Sequence, residues 1–206
     1  MKFNEIAQIV LVIIVLAFSA SFKNLVNFPF VCIFLAVIFI FNIGAKKLMA
    51  YYLQSGLETK IWHFQRYGLY ERSHFKKPIP IGIILPFLVA ILSLGNITWF
   101  ASTQSEITAS RARVAKRHGI YRFSEMTESS MGTIVAAGIF ACLVLAILAY
   151  IVGFPELSKL AILFAAFNML PLGHLDGTKI FFGSIVLWAV MAILCLIGLG
   201  YVFFLV

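Results

Sequence analysis

The chain has 206 residues, of which 62% are apolar and only 12% are charged, and its formal net charge is +8. A soluble globular domain has about half apolar and about a quarter charged residues, so this composition excludes a soluble enzyme. The high apolar content also excludes a disordered chain. We expect an integral membrane protein whose basic residues contact the anionic headgroups of a lipid bilayer, with no nucleic-acid partner.

Stretches without any charged residue indicate which parts of the chain lie in the membrane, because a charge at mid-bilayer costs a few kcal/mol. Six such windows occur, at 6–22, 24–45, 78–105, 129–155, 160–175 and 180–206. The first follows Lys2, as the apolar part of a secretory signal would. It is longer than a usual signal core, which favours an uncleaved span.

Prolines and glycines interrupt the third window, so it is not expected to form one straight helix. If 78–100 dips into the membrane and returns, 46–130 lies wholly on the cytoplasmic side, and fourteen of the 16 basic residues are inside. If the window crosses, nine are inside and seven outside. The positive-inside rule therefore favours a multi-pass membrane protein with a cytoplasmic N-terminus and five spans rather than six, and the cell membrane is its default location. The five spans are 6–22, 24–45, 131–153, 160–176 and 180–206.

Local patterns predict the structure of the polar region between the spans. The second span should continue as a helix to Tyr52, and the alternation from Glu58 to Phe64 predicts a short strand. Thr103 and Glu106 have the spacing of a capping box, which predicts a helix running to Arg117. No second soluble domain is indicated, so 1–206 is treated as a single membrane domain.

Asp176 is the only aspartate of the chain, and it ends the fifth apolar window. An acid in such a place is by default a functional candidate. Pro171 removes a helical hydrogen bond, and Gly173 and Gly177 allow the backbone to turn, so the helix should unwind before Asp176. A simpler alternative is that Asp176 caps a helix end and pairs with Lys179.

The pattern Asn168-x-x-Pro171-x-x-x-Leu175-Asp176-Gly177 resembles the N-x-x-P-x-x-x-L-D-G motif of the site-2 protease family, peptidase M50-like intramembrane zinc metalloproteases. The resemblance implies that Asp176 takes the place of a zinc ligand. We expect the broken span with Asn168 and Pro171 to offer a groove for a transmembrane helix or an extended strand of a client. In that family an H-E-x-x-H sequence on an earlier helix supplies the other two ligands and the general base. The resemblance implies an all-α polytopic fold of five or six spans, with a re-entrant or strand-containing insert at 78–100.

The zinc-binding motif of that family is degenerate in this chain. Alignment of the residues that follow it places Asn42, Ile43 and Lys46 at the positions of the first His, the Glu and the second His. Isoleucine cannot transfer a proton, and a lysine puts a cation where a dication would bind. A further family signature, G-P-x-x-N, keeps only Gly138. We therefore expect no catalytic residue, and we expect Lys46 to balance the charge of Asp176.

The function expected from these residues is that of a pseudoprotease, which binds or shields a transmembrane client without cutting it and needs no cofactor. One alternative is an active metalloprotease with substituted ligands. Its Zn²⁺ would bind Asp176, His174 and His63, which requires the backbone around His174 to unwind. A third possibility is a carrier of ions or small molecules that uses the intramembrane charges.

Overall fold

The computed structural model describes residues 3–66, 74–110 and 126–205. These residues form seven α-helices, one 3₁₀ turn and four short strands. In chain order the elements are α1 Phe3–Ala20, the 3₁₀ turn Leu25–Asn27, α2 Phe28–Tyr52, β1 Ser55–Ile61, β2 Phe64–Arg66, β3 His74–Ile79, α3 Ile81–Leu92, β4 Thr103–Ala109, α4 Glu128–Val152, α5 Pro155–Asn168, α6 Asp176–Gly183 and α7 Ile185–Leu205.

Three helical segments are long and apolar enough to cross a membrane: Leu25–Tyr52, Glu128–Val152 and Ile185–Phe204. Two further apolar helices, α1 and α3, are shorter. Many large apolar side chains of α2, α4 and α7 are exposed, which suits contact with lipid rather than with water. The mainly helical architecture and the membrane class are thus confirmed, but these spans among the described residues are fewer than the five or six predicted.

Helix α4 lies at the centre of the fold and packs against α2, α5 and α6. Thr127 caps its start, since the Thr127 hydroxyl accepts a hydrogen bond from the backbone N–H of Ser130 at 3.3 Å. Its other end is closed by Gly153, which adopts a left-handed conformation at φ 91°. The main hydrophobic core runs along α4 and includes side chains of α1, α2, α5 and α7.

The predicted dip of residues 78–100 corresponds to the short helix α3. The segments before and after this helix both form backbone hydrogen bonds with Trp62. The backbone N–H of Gly82 donates to the carbonyl of Trp62, and the N–H of Trp62 donates to the carbonyl of Ser102, both at 2.9 Å. A Cβ atom on Gly82 would lie 2.1 Å from the Ser102 carbonyl oxygen, so this close approach requires glycine. The strands flank α3 rather than lying within it.

Several predicted boundaries are wrong. Thr103 and Glu106 belong to strand β4, which pairs antiparallel with β1, and not to a helix. The predicted span 160–176 is helical to Asn168 and then unwinds, as expected around Pro171, whereas the predicted span 180–206 is interrupted at Ser184, whose backbone is extended. Residues 111–125, with five of the basic residues expected at headgroups, lie outside the described residues.

Helix α1 covers the outer edge of strand β1. The N–H groups of Thr59 and Ile61 donate to the side-chain oxygens of Glu5 at 3.2 Å and of Gln8 at 3.3 Å. In an antiparallel pair, alternate residues point their backbone groups toward and away from the partner strand. The α1 side chains therefore take the place of a further strand on this side of the sheet.

Candidate functional site

Lys46 of α2 and Asp176, the first residue of α6, form an ion pair inside the protein. Each side chain is only 1% exposed, and the Lys46 ammonium donates a hydrogen bond to Oδ2 of Asp176. The same ammonium donates to the hydroxyl of Ser105 on β4 at 3.3 Å. Two charges that leave water must be paired and hydrogen-bonded. The predicted contact is thus confirmed, and Asp176 pairs with Lys46 rather than with Lys179.

The aliphatic part of Lys46 crosses α4 at Gly138. A Cβ atom on Gly138 would lie 2.5 Å from Cε and 2.6 Å from Cγ of Lys46, closer than real Cβ contacts. Absence of a side chain at Gly138 therefore opens the path by which the ammonium reaches Asp176. Gly138 is the glycine that aligns with the first position of the G-P-x-x-N signature in the resemblance described above.

The other two positions of the degenerate motif lie on the same stretch of α2. Asn42 is buried, and its Nδ2 donates to Sγ of Cys142 on α4 at 3.4 Å. Ile43 is buried in the main hydrophobic core. Asn42 and Lys46 are four residues apart, so they lie on one helix face and both meet α4. None of the three can accept a proton as a carboxylate would, because Asn42 is an amide, Ile43 is apolar and the Lys46 ammonium is a donor only.

The chain turns between α5 and α6, as Pro171 and the glycines predict. Residues 169–175 are not helical, and Gly173 has φ 55°. A Cβ atom on Gly177 would lie 2.1 Å from the carbonyl oxygen of Met169. Only glycine therefore lets the start of α6 fold back against the end of α5. The preceding Leu175 is fully buried and packs with Trp62 and Ala101, which anchors the turn next to Asp176.

The two predicted client-binding residues face different surroundings. Asn168 is 1% exposed, and its Nδ2 donates to the carbonyl of Phe164 in its own helix at 2.8 Å. Its Oδ1 and the Oδ1 of Asp176 are buried and have no hydrogen-bond partner among the described residues. Pro171 is exposed. The structure therefore places one of the two residues inside the protein and the other on its surface.

The histidines of the alternative zinc site do not converge with Asp176. His174 is exposed and lines a separate cavity with Glu128 and Lys179. The Nδ1 of His63 lies 2.6 Å from the carbonyl oxygen of Ile61. Among the described residues, no group of three His, Cys, Asp or Glu side chains is placed to hold a metal ion.

The residues at the degenerate motif do not fit a zinc ion. The Lys46 ammonium holds the Asp176 oxygen that would bind the metal, and a second cation at that position would be repelled. Asn42 provides at most a weak amide ligand, and zinc prefers histidine nitrogen, thiolate or carboxylate.

Ser105 and Cys142 are site residues that the sequence analysis missed. Cys142 is four residues after Gly138, so both lie on the same face of α4. This helical spacing is the sequence signal that could have identified Cys142. Ser105 lies on a strand whose buried face is polar, with Thr103 and Ser105 both buried. Hydrophobic alternation does not reveal such a strand.

No known protein family, curated protein or solved structure matches the chain.

Proposed function

We propose that this chain is a site-2 protease-like membrane protein that binds or shields a transmembrane client without cutting it. The observation that carries the proposal is the ion pair between Lys46 and Asp176. It neutralises the aspartate at the position where the resembling metalloproteases hold zinc. Ile43 supports the same conclusion, since a core isoleucine stands where a general base is needed.

The β1–β4 sheet supplies one surface for an extended client segment. Its β1 edge is covered by Glu5 and Gln8 of α1. Among the described residues the sheet contains only β1 and β4, which leaves β4 as its other edge. A strand edge recognises an extended peptide through backbone hydrogen bonds. The exposed Pro171 marks the second surface, at the turn that follows α5.

Five spans with a cytoplasmic N-terminus are the topology proposed for this protein. Helix α5 has 14 residues and is about 21 Å long, short of the ~30 Å of hydrocarbon in a bilayer. If α5 starts at the outer face, it ends near the cytoplasmic side of the hydrocarbon. Lys46 approaches the same side from α2. The motif residues and the sheet would then lie together at the cytoplasmic leaflet.

A photo-crosslinking amino acid at Pro171 of the intact protein in cells tests client binding. The matched control is the same amino acid at Phe154, which is exposed at the opposite end of α5. We expect position 171 to capture an intact transmembrane protein and position 154 to give no such product.

Two results would contradict the proposal. A captured protein cut within its membrane segment, with the cut abolished by Asp176→Ala, would identify an active metalloprotease. Solute uptake by vesicles that contain only this protein, abolished by Lys46→Met, would identify a carrier. The buried charge pair is the feature that favours this alternative.

A further inference from the structure

A small cavity of about 170 Å³, lined by both polar and apolar side chains, lies beside the candidate site, between the first turn of α4 and helix α6. Four of its lining side chains are polar: Glu128, His174, Thr178 and Lys179. Met131 and Phe182 add apolar surface. The volume is below the ~300 to 1,000 Å³ of sites for drug-sized ligands, so the cavity suits a small polar group.

Close helix packing brings these groups together. A Cβ atom on Gly183 would lie 2.6 Å from the carbonyl oxygen of Glu128, and one on Gly132 would lie 3.0 Å from the carbonyl oxygen of Lys179. The first turn of α4 therefore rests directly on α6. Glu128 from one helix and Lys179 from the other then line the same cavity.

Among the described residues, Thr178, Lys179 and Glu128 of the cavity have no hydrogen-bond or ion-pair partner for their side chains. The Thr178 hydroxyl is buried and has no hydrogen-bond partner among the described residues. The salt bridges within the described part of the chain involve neither Lys179 nor Glu128. Lys179 is partly buried, and this burial lowers the pKa of its ammonium. An anionic ligand would offset this effect.

The position of the cavity indicates where such a ligand comes from. Helices α4 and α7 are two of the segments able to cross a membrane, and α6 directly precedes α7. Headgroups lie at the ends of such helices. Phe182, which lines the cavity, and Ile185 and Val186 at the start of α7 are 66%, 65% and 74% exposed, and they offer an apolar path for acyl chains.

We propose that this cavity binds the phosphoethanolamine headgroup of a membrane phospholipid. Lys179, His174 and the Thr178 hydroxyl donate to the phosphate oxygens, and Glu128 accepts hydrogen bonds from the ammonium. The Glu128 carboxylate repels a purely anionic headgroup. A quaternary choline has no N–H group that could donate a hydrogen bond to this carboxylate. This site does not depend on client binding, since neither Lys46 nor Asp176 lines it.

Native mass spectrometry of the purified full chain in detergent tests the proposal. The probes are phosphatidylethanolamine, phosphatidylcholine and phosphatidylglycerol with identical acyl chains, together with inorganic phosphate. We expect one saturable site that prefers phosphatidylethanolamine. Lys179→Gln should weaken its binding about tenfold, the equivalent of one charged hydrogen bond. Lys179→Arg should retain most of the affinity.

Matched variants separate this site from general lipid adsorption. Glu128→Gln should remove the preference for phosphatidylethanolamine over phosphatidylcholine, and Lys159→Gln, at the start of α5, should leave binding unchanged. Equal binding of the three lipids, or equal effects of Lys179→Gln and Lys159→Gln, would overturn the proposal. Binding of inorganic phosphate without any preference among the lipids would show that the bound phosphate group does not come from a lipid headgroup.

Discussion

Lys46 crosses Gly138 so closely that α4 has no room for a side chain at that position. The ammonium of Lys46 reaches Asp176 only over this gap, so a buried ion pair between α2 and α6 depends on a glycine of a third helix. Gly138 and Asp176 lie 92 and 130 residues from Lys46 in sequence. The relationship explains why one glycine matters to the electrostatics of the site.

Gly138→Ala should destabilise the protein. The added methyl group would push Lys46 away from Asp176 or force α2 and α4 apart, at a cost of about 1 to 3 kcal/mol. Thermal unfolding in detergent micelles measures this effect. The control is Gly44→Ala in α2, where nothing lies within 4 Å of the added Cβ, so it should be neutral or stabilising by up to about 1 kcal/mol. Equal effects of the two variants would contradict the packing described.

Replacing both partners of the ion pair should be milder than replacing either one. Lys46→Met leaves a buried carboxylate unpaired, and Asp176→Leu leaves a buried ammonium, each at a cost of about 3 to 5 kcal/mol. The double variant buries no charge and should recover most of that loss. Unfolding free energies of the four proteins form a double-mutant cycle. Additive losses would show that the two residues do not interact.

The stability of the protein should rise with pH in the range where Lys179 titrates. Burial lowers the pKa of Lys179 below its usual ~10.4, while Asp176 opposes the shift and Lys46 adds to it. Between the lowered pKa and the usual one, the unfolded chain binds more protons than the folded chain, so raising the pH favours folding. Unfolding midpoints in lipid-free detergent across this range should rise, and Lys179→Gln should flatten the slope. Lys159→Gln is the control, and an equal flattening by it would refute the assignment.

Residues on both sides of α3 should face the same side of the membrane. Cysteine at Tyr52 or at Thr108 should react with an impermeant maleimide only after membranes are opened, and cysteine at Phe154 should react on intact cells. A Cys32→Ala background suffices, since Cys142 and Cys195 are buried. Labelling of position 108 on intact cells while position 52 stays protected would instead establish six spans.

The sequence predicts well those parts of the fold where a local pattern and burial agree. The extension of α2 to Tyr52 and the unwound turn after Asn168 follow from helix breakers. The alternation identifies strand β1, although β1 covers Ser55–Ile61 rather than the predicted 58–64. The Lys46–Asp176 contact follows from the resemblance, which brings the two positions to one site, and from the cost of an unpaired buried charge. Each of these predictions has a physical cause within a few residues or within one pair.

The missed features depend on contacts that no local pattern encodes. Charge-free windows do not register the break at Ser184, where the serine hydroxyl accepts from the N–H of Leu187 at 3.3 Å and begins α7. Nor do they register the start of α5 at Pro155, which precedes Glu156 and Lys159. The cover of β1 by Glu5 and Gln8 arises only once α1 packs on the sheet.

Metal analysis of the purified protein tests the central claim most directly. Zinc would be measured per chain in the wild type and in Asp176→Ala, after purification without chelators. Because the Lys46 ammonium already holds the carboxylate, we predict far less than one zinc per chain, with no difference between the two proteins. One zinc per chain in the wild type, lost in Asp176→Ala, would contradict the account.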